Sequence, residues 1–153
     1  MNILIVGGSG FLGKKLHFFL KKKNINTYSF SRTKLSNKNY FVCDISSKSI
    51  LQKKLNRLNV NFDYVINLSG QESGDKLEMK RTIIDGNRNL INFFKKKNTT
   101  FLFMSSILVY SGSKQILSER GKILPRNDYS FYKIKAENLI KKKCKKFIIF
   151  RLG

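Results

Sequence analysis

The sequence predicts an α/β fold, a doubly wound parallel sheet of six strands with helices packed between its crossings. Three observations carry that expectation. Short apolar runs alternate with stretches of helical periodicity, and a glycine-rich turn joins the first run to the first helix. The 153 residues, 41% apolar with 10 glycines and 1 proline, suit one packed domain spanning 1–153. Strands that alternate with helices pair in parallel, because each parallel connection needs a long crossover.

Asn2 to Val6 is an apolar run that ends in glycine, and Leu12, Leu16, Phe19 and Leu20 then recur at helical spacing until Lys21, Lys22 and Lys23. Ile25 to Phe30 read as a second strand and Tyr40 to Cys43 as a third, closed by Asp44. Ser46 or Ser47 can cap a helix that carries Ile50, Leu51, Leu55 and Leu58. Tyr64 to Leu68 form a fourth strand, followed by Ser69 and Gly70. Met79, Ile83, Leu90 and Phe94 line one long helix that Gly86 interrupts only mildly. Phe101 to Met104 make the fifth strand, Tyr129 to Lys143 the last helix and Phe147 to Arg151 the sixth strand.

Basic residues outnumber acidic ones 31 to 9, a net charge of +22. The lysine clusters fall mostly at helix ends, where a cation opposes the negative end of the helix dipole. Lys, Asn and Ile also share A/T-rich codons. The sharper alternative is a nucleic-acid surface, but the clusters are scattered and lack interleaved aromatics, zinc-finger spacing or a helix-turn-helix, so specific nucleic-acid binding is not expected. No apolar run approaches the roughly 20 residues that cross a bilayer, so no membrane partner is expected. The N-terminus enters its first strand without a basic leader, which points to a cytoplasmic protein. Cys43 and Cys144 read as free thiols, and no metal site is expected. His17, the 1 histidine, lies in a lysine-rich stretch and reads as a surface residue without a chemical role.

Gly7-Gly8-Ser9-Gly10-Phe11-Leu12-Gly13 sits where the first strand hands over to the first helix. A side chain at such a turn would keep a pyrophosphate from the backbone N–H groups at the helix N-terminus, where the dipole favours negative charge. Gly7, Gly10 and Gly13, with Phe11 and Leu12 at the helical start, are therefore cofactor-binding candidates. The end of the second strand reads the adenosine ribose in this geometry, and an acidic residue there would hold the 2′-hydroxyl of NAD. The residue present is Arg32, whose two N–H donors suit a 2′-phosphate. NADP is expected over NAD.

Tyr129 and Lys133 lie four residues apart, hence on one face of a helix. A nearby ammonium is expected to lower the phenol pKa towards a range useful for proton exchange. Tyr132 has no lysine four residues later and is a decoy. Ser105 and Ser106 follow the fifth strand, at the carboxyl end where ligands bind in open α/β sheets.

These residues together resemble the N-terminal part of the extended short-chain dehydrogenase/reductases, NAD(P)-dependent epimerases, dehydratases and reductases with a Rossmann-like domain. The resemblance covers essentially the whole chain. It rests on the glycine turn, Asp44-Ile45, Val65 to Gly70 after Asp63, and Gly86 to Ile91. It continues through Ser105-Ser106 with Val109-Tyr110, Glu119, Pro125, and Ala136-Glu137 after Lys133. It implies that Tyr129 is the general acid/base, that Lys133 holds the nicotinamide ribose and tunes the phenol, and that Ser106 orients the substrate oxygen. It further implies that Asp44 and Ile45 contact adenine and that Leu68 and Ser69 line the cofactor cleft. Hydride would pass between the nicotinamide and a carbinol carbon of a small-molecule substrate such as a nucleotide sugar. The last helix often pairs between subunits in this family, so the resemblance leaves room for a homodimer without fixing the oligomeric state.

Three departures qualify the resemblance. Ile83 stands where the family often has asparagine. Ile107 and Leu108 stand where the 4,6-dehydratases carry an acidic pair, which disfavours dehydration and leaves a reductase or epimerase. Family members continue for about as many residues again, so the substrate-binding C-terminal part is expected to be missing. A non-catalytic NADP-binding module is the rival reading.

Overall fold

A computed structural model describes residues 1–34, 38–70, 72, 74–110 and 118–153. Its strands are β1 (Asn2–Val6), β2 (Asn26–Ser31), β3 (Tyr40–Val42), β4 (Tyr64–Asn67), β5 (Thr100–Ser106) and β6 (Phe147–Leu152). All pair in parallel, in the order β3-β2-β1-β4-β5-β6. The chain reverses its direction of travel between β1 and β4, which opens a crevice at the carboxyl ends of those strands. This is the doubly wound sheet that the sequence predicts.

Helices α1 (Phe11–Lys22), α2 (Lys48–Leu58), α3 (Lys76–Lys80), α4 (Gly86–Phe94) and α5 (Asp128–Lys143) connect the strands. Side chains alternate across the sheet. Leu4, Val6, Val65, Phe101 and Phe103 join Leu51, Leu90, Ile91 and Ile140 in the main core, under α2, α4 and α5. Ile3 and Ile5 face the other way, against Leu16 and Leu20 of α1.

The helix expected from Met79 to Phe94 is three pieces: α3, a π-helical turn over Arg81–Asp85, and α4. The wider turn changes the backbone pairing, and the Asn87 side chain donates to the Ile83 carbonyl at 2.6 Å. Gly86 is there for close approach, since a Cβ would lie 2.6 Å from Ile45 Cδ1. β5 runs to Ser106, beyond its apolar run, because the Ser105 hydroxyl donates to buried Glu137 at 2.7 Å. α5 starts at Asp128 behind a capping box of Asn127 and Ser130. Ser47 precedes α2 without a side-chain cap.

His17 is a correction. It is 4% exposed, with Nδ1 2.9 Å from Ser29 Oγ and its ring 4.4 Å from that of Tyr40. Burial, then the Lys21 charge, lowers its pKa and keeps it neutral. Its spacing from Gly13 and Leu20 places it on the sheet-facing side of α1, among the lysines in sequence but opposite them in space. Both cysteines are free. Among the described residues no His/Cys/Asp/Glu group could hold a metal, and no helix is long and apolar enough to cross a membrane.

Candidate active site

The glycine turn is built from three different needs. Gly7 has a φ of 88°, and its N–H and that of Gly8 both donate to the Phe30 carbonyl, at 2.9 and 3.0 Å. A Cβ on Gly13 would lie 2.3 Å from the Gly7 carbonyl oxygen, so that glycine lets α1 dock on β1. Gly10 is different. A Cβ there would meet only the Gly7 oxygen, at 3.4 Å, an ordinary contact. The protein's own packing therefore does not demand a glycine at 10.

Gly10 borders a cleft of about 320 Å³, which Gly7, Ser9, Arg32, Asp44, Ile45, Leu68 and Ser69 also line. Gly10 is the N-cap of α1, which has no side-chain cap and no acidic residue in its first turn. The first N–H groups of the helix are thus left to an anion. A bare backbone, uncapped N–H groups and open space together fit a pyrophosphate. Phe11 and Leu12 are 82% and 39% exposed at the start of α1 and do not line the cleft itself.

The Arg32 end of the cleft is framed by Asp44. Its Oδ1 accepts from Ser46 N and Oγ at 2.9 and 2.8 Å. Asn89 Nδ2 donates to the carbonyls of Ile45 and Ser46 at 3.0 and 2.9 Å, bolting that loop to α4. Arg32 lines the cleft and pairs with Glu78 of α3. Arg81 lies 3.9 Å from Asp44. Below the middle of the cleft, Asn67 Oδ1 accepts from Ser69 N and Oγ at 2.9 and 2.6 Å, and Asn67 Nδ2 donates to Asn87 at 2.9 Å. This buried chain fixes Leu68 and Ser69 above the π-turn. The sequence carried one sign of it, a polar Asn87 on the apolar side of a helix.

Gly70 closes the other end. A Cβ there would lie 2.8 Å from Lys133 Nζ, so the lysine ends directly behind the cleft wall. Lys133 is 3% exposed, donates to the Met104 carbonyl at 2.7 Å, and lies 5.4 Å from the centroid of the Tyr129 ring. Desolvation pushes its pKa down to about 8, partly opposed by the Glu137 charge. The phenol behaves opposite to expectation. Burial raises the Tyr129 pKa and the Glu72 carboxylate adds to the rise. Tyr132, one position from Phe131 on the same helix, is buried in the main core. Ser106 accepts from Leu108 N at 3.2 Å at the head of a short 3-10 turn (Ile107–Val109).

Behind α5 lies a clip that local sequence patterns do not show. Buried Glu137 accepts from Arg151 Nε and Nη2 at 2.9 and 2.6 Å and from Ser105, while Arg151 Nη1 donates to the Tyr110 hydroxyl at 2.7 Å. Burial alone would push the carboxyl up, but these bonds outweigh it and hold it below the usual carboxylate range. The clip joins α5 to β5 and β6 one turn beyond Lys133.

A family model described as the NAD dependent epimerase/dehydratase family matches residues 3–152. The chain belongs to that family. No curated protein matches it. Its fold is that of a dTDP-4-dehydrorhamnose reductase from Clostridium acetobutylicum, at 24% identity and a TM-score of 0.84 over 100% of this chain and 53% of that one. A short-chain dehydrogenase/reductase superfamily protein from Agrobacterium tumefaciens with bound NAD gives 19% and 0.88, over 99% and 48%. A Thermus thermophilus UDP-glucose 4-epimerase complexed with NAD gives 16% and 0.84, over 99% and 54%. This epimerase/dehydratase chain thus spans about half the length of those structures.

Proposed function

We propose that the chain is the cofactor-binding and proton-transferring part of an NADP-dependent reductase or epimerase whose substrate is a nucleotide-linked sugar. One observation carries the reading: a glycine at 10 that the fold does not need, beside an uncapped helix, with Lys133 and Tyr129 beyond the far end of the same cleft. A bound nicotinamide dinucleotide would supply the hydride chemistry. Gly7, Gly10 and the start of α1 would hold its diphosphate, Asp44 and Ile45 its adenine, and Arg32 a 2′-phosphate once released from Glu78. Tyr129 moves the proton at its hydroxyl, Lys133 supplies the positive charge beside it, and Ser106 orients the substrate oxygen. Ile107 and Leu108 have no ionisable group to shuttle a proton, which disfavours dehydration. The nucleotide-sugar substrate is supported by relatives such as a Thermotoga maritima UDP-glucose 4-epimerase with bound UDP-glucose.

A second reading is a binding module without turnover. Titration with NADPH tests the shared part. Gly10→Val should weaken binding by more than about tenfold while leaving the unfolding midpoint in place, since that glycine is not required for packing. Unchanged affinity would remove both readings. Hydride transfer to a nucleotide 4-ketosugar that is lost in Tyr129→Phe then selects the enzyme. Tight NADPH binding without transfer selects the module.

A further inference from the structure

Helix α1 turns Gly13, His17 and Leu20 to the sheet. The opposite ridge carries Phe11, Lys15, Phe18 and Lys22, at steps of four, three and four residues along one face. Phe11, Phe18 and Phe19 are 82%, 59% and 56% exposed. Lys22 Nζ lies 4.6 Å from the Phe18 ring centroid, Lys15 Nζ 5.9 Å from that of Phe11, and Lys23 Nζ 6.0 Å from that of Phe19. No acidic residue occurs in the helix, and the chain carries +22 overall. Aromatics and lysines are thus interleaved here, a correction to the reading of the lysine clusters as lacking them. An exposed row of large apolar rings marks an interaction surface.

We propose that this ridge lies on an anionic phospholipid surface, with the Phe rings entering the boundary between headgroups and acyl chains and the lysine ammonium groups at the level of the phosphates. Shape and charge select this partner. The ridge is convex and about 18 Å long, which fits a flat surface. Single-stranded nucleic acid is held in a positively charged groove with bases stacked on ring faces. Here the ridge forms no groove, and the lysines already lie over those faces. Lysine side chains can snorkel, their stems in the apolar layer and their ammonium groups in the polar one. The expectation of no membrane partner rested on the lack of a crossing segment, which a helix lying in the interface does not need.

Co-sedimentation of the full chain with vesicles tests this, comparing phosphatidylcholine alone with a mixture containing about 30% phosphatidylglycerol at about 0.1 M salt. Binding to the mixed vesicles should exceed binding to the neutral ones by at least about tenfold. Phe18→Ser with Phe19→Ser should weaken it by about tenfold or more, and Lys15→Gln with Lys22→Gln by a similar factor. NADPH affinity and the unfolding midpoint should stay in place in both variants. Because the chain has Trp 0, Phe18→Trp gives a single reporter whose emission should shift to the blue on mixed vesicles only. Equal binding to both vesicle types, variants that bind like the parent, or an unshifted indole emission from the Phe18→Trp variant would overturn the proposal. So would a poly(U) oligonucleotide bound more tightly than the vesicles and lost in the same variants.

Discussion

Two rows of side chains cross the sheet in register, one on each face. On the face under α2, α4 and α5, Val6, Asn67 and Phe103 are 2%, 0% and 0% exposed, and Ile149 at the edge is half-buried. On the opposite face, Ile5 is fully buried beneath α1, Ile66 and Leu102 are half-buried, and Ile148 is 43% exposed. Phe150 and Leu152 continue that open strip at 46% and 47%. Parallel sheets are ordinarily covered on both faces. Among the described residues the glycine-turn end of the sheet has both layers, while β5 and β6 have one. Stability and the cofactor cleft therefore draw on the covered face, and the open face is free to change with little cost.

The largest test of that contrast compares truncations. Leu90→Ala, in the covered core, should cost about 3–4 kcal/mol of unfolding free energy in urea, whereas Ile148→Ala should cost less than about 1 kcal/mol. Similar losses would show that the open strip is closed in solution. A hydrophobic dye should bind the parent chain and lose signal in Phe150→Ser.

A second test concerns charge inside the covered face. The Lys133 pKa falls from 10.5 in the unfolded chain to about 8 in the fold, so the unfolded chain holds more protons between those values and stability rises with pH across that window. Below it the full penalty of the buried ammonium applies. Lys133→Met should accordingly raise stability by about 2 kcal/mol at pH 7, with the advantage shrinking as pH climbs from about 8 and gone above 10.5. A pH-independent difference would assign the effect to packing.

Cofactor choice should give the smallest effect, because Arg32 and Glu78 are both about half-exposed. Arg32→Asp should shift preference from NADP towards NAD by about tenfold, and Glu78→Gln should tighten NADP severalfold by freeing the guanidinium from its ion pair. An unchanged ratio in both would place the ribose elsewhere.

Much of this was legible because it is local. The six strands, the glycine turn and the Tyr129–Lys133 pairing each repeat at a period that sequence shows directly, and seven of the expected cofactor residues line one cleft. The π-turn was not, since Arg81 to Asp85 has the same periodicity as an ordinary helix and differs by a single register step. His17 was legible in principle from its spacing to Gly13 and Leu20, but its lysine neighbours masked it. The Glu137–Arg151 clip joins a helix to a strand through tertiary packing, where no local pattern reaches. The direction of the phenol pKa depends on burial and on the Glu72 carboxylate, and a four-residue spacing to Lys133 reports neither.

The Phe30 carbonyl oxygen takes both Gly7 N–H and Gly8 N–H, and it stands two residues before Arg32. One oxygen thus ties the glycine turn to the end of β2, so Phe30 cannot shift without carrying Gly7 and Gly8 with it.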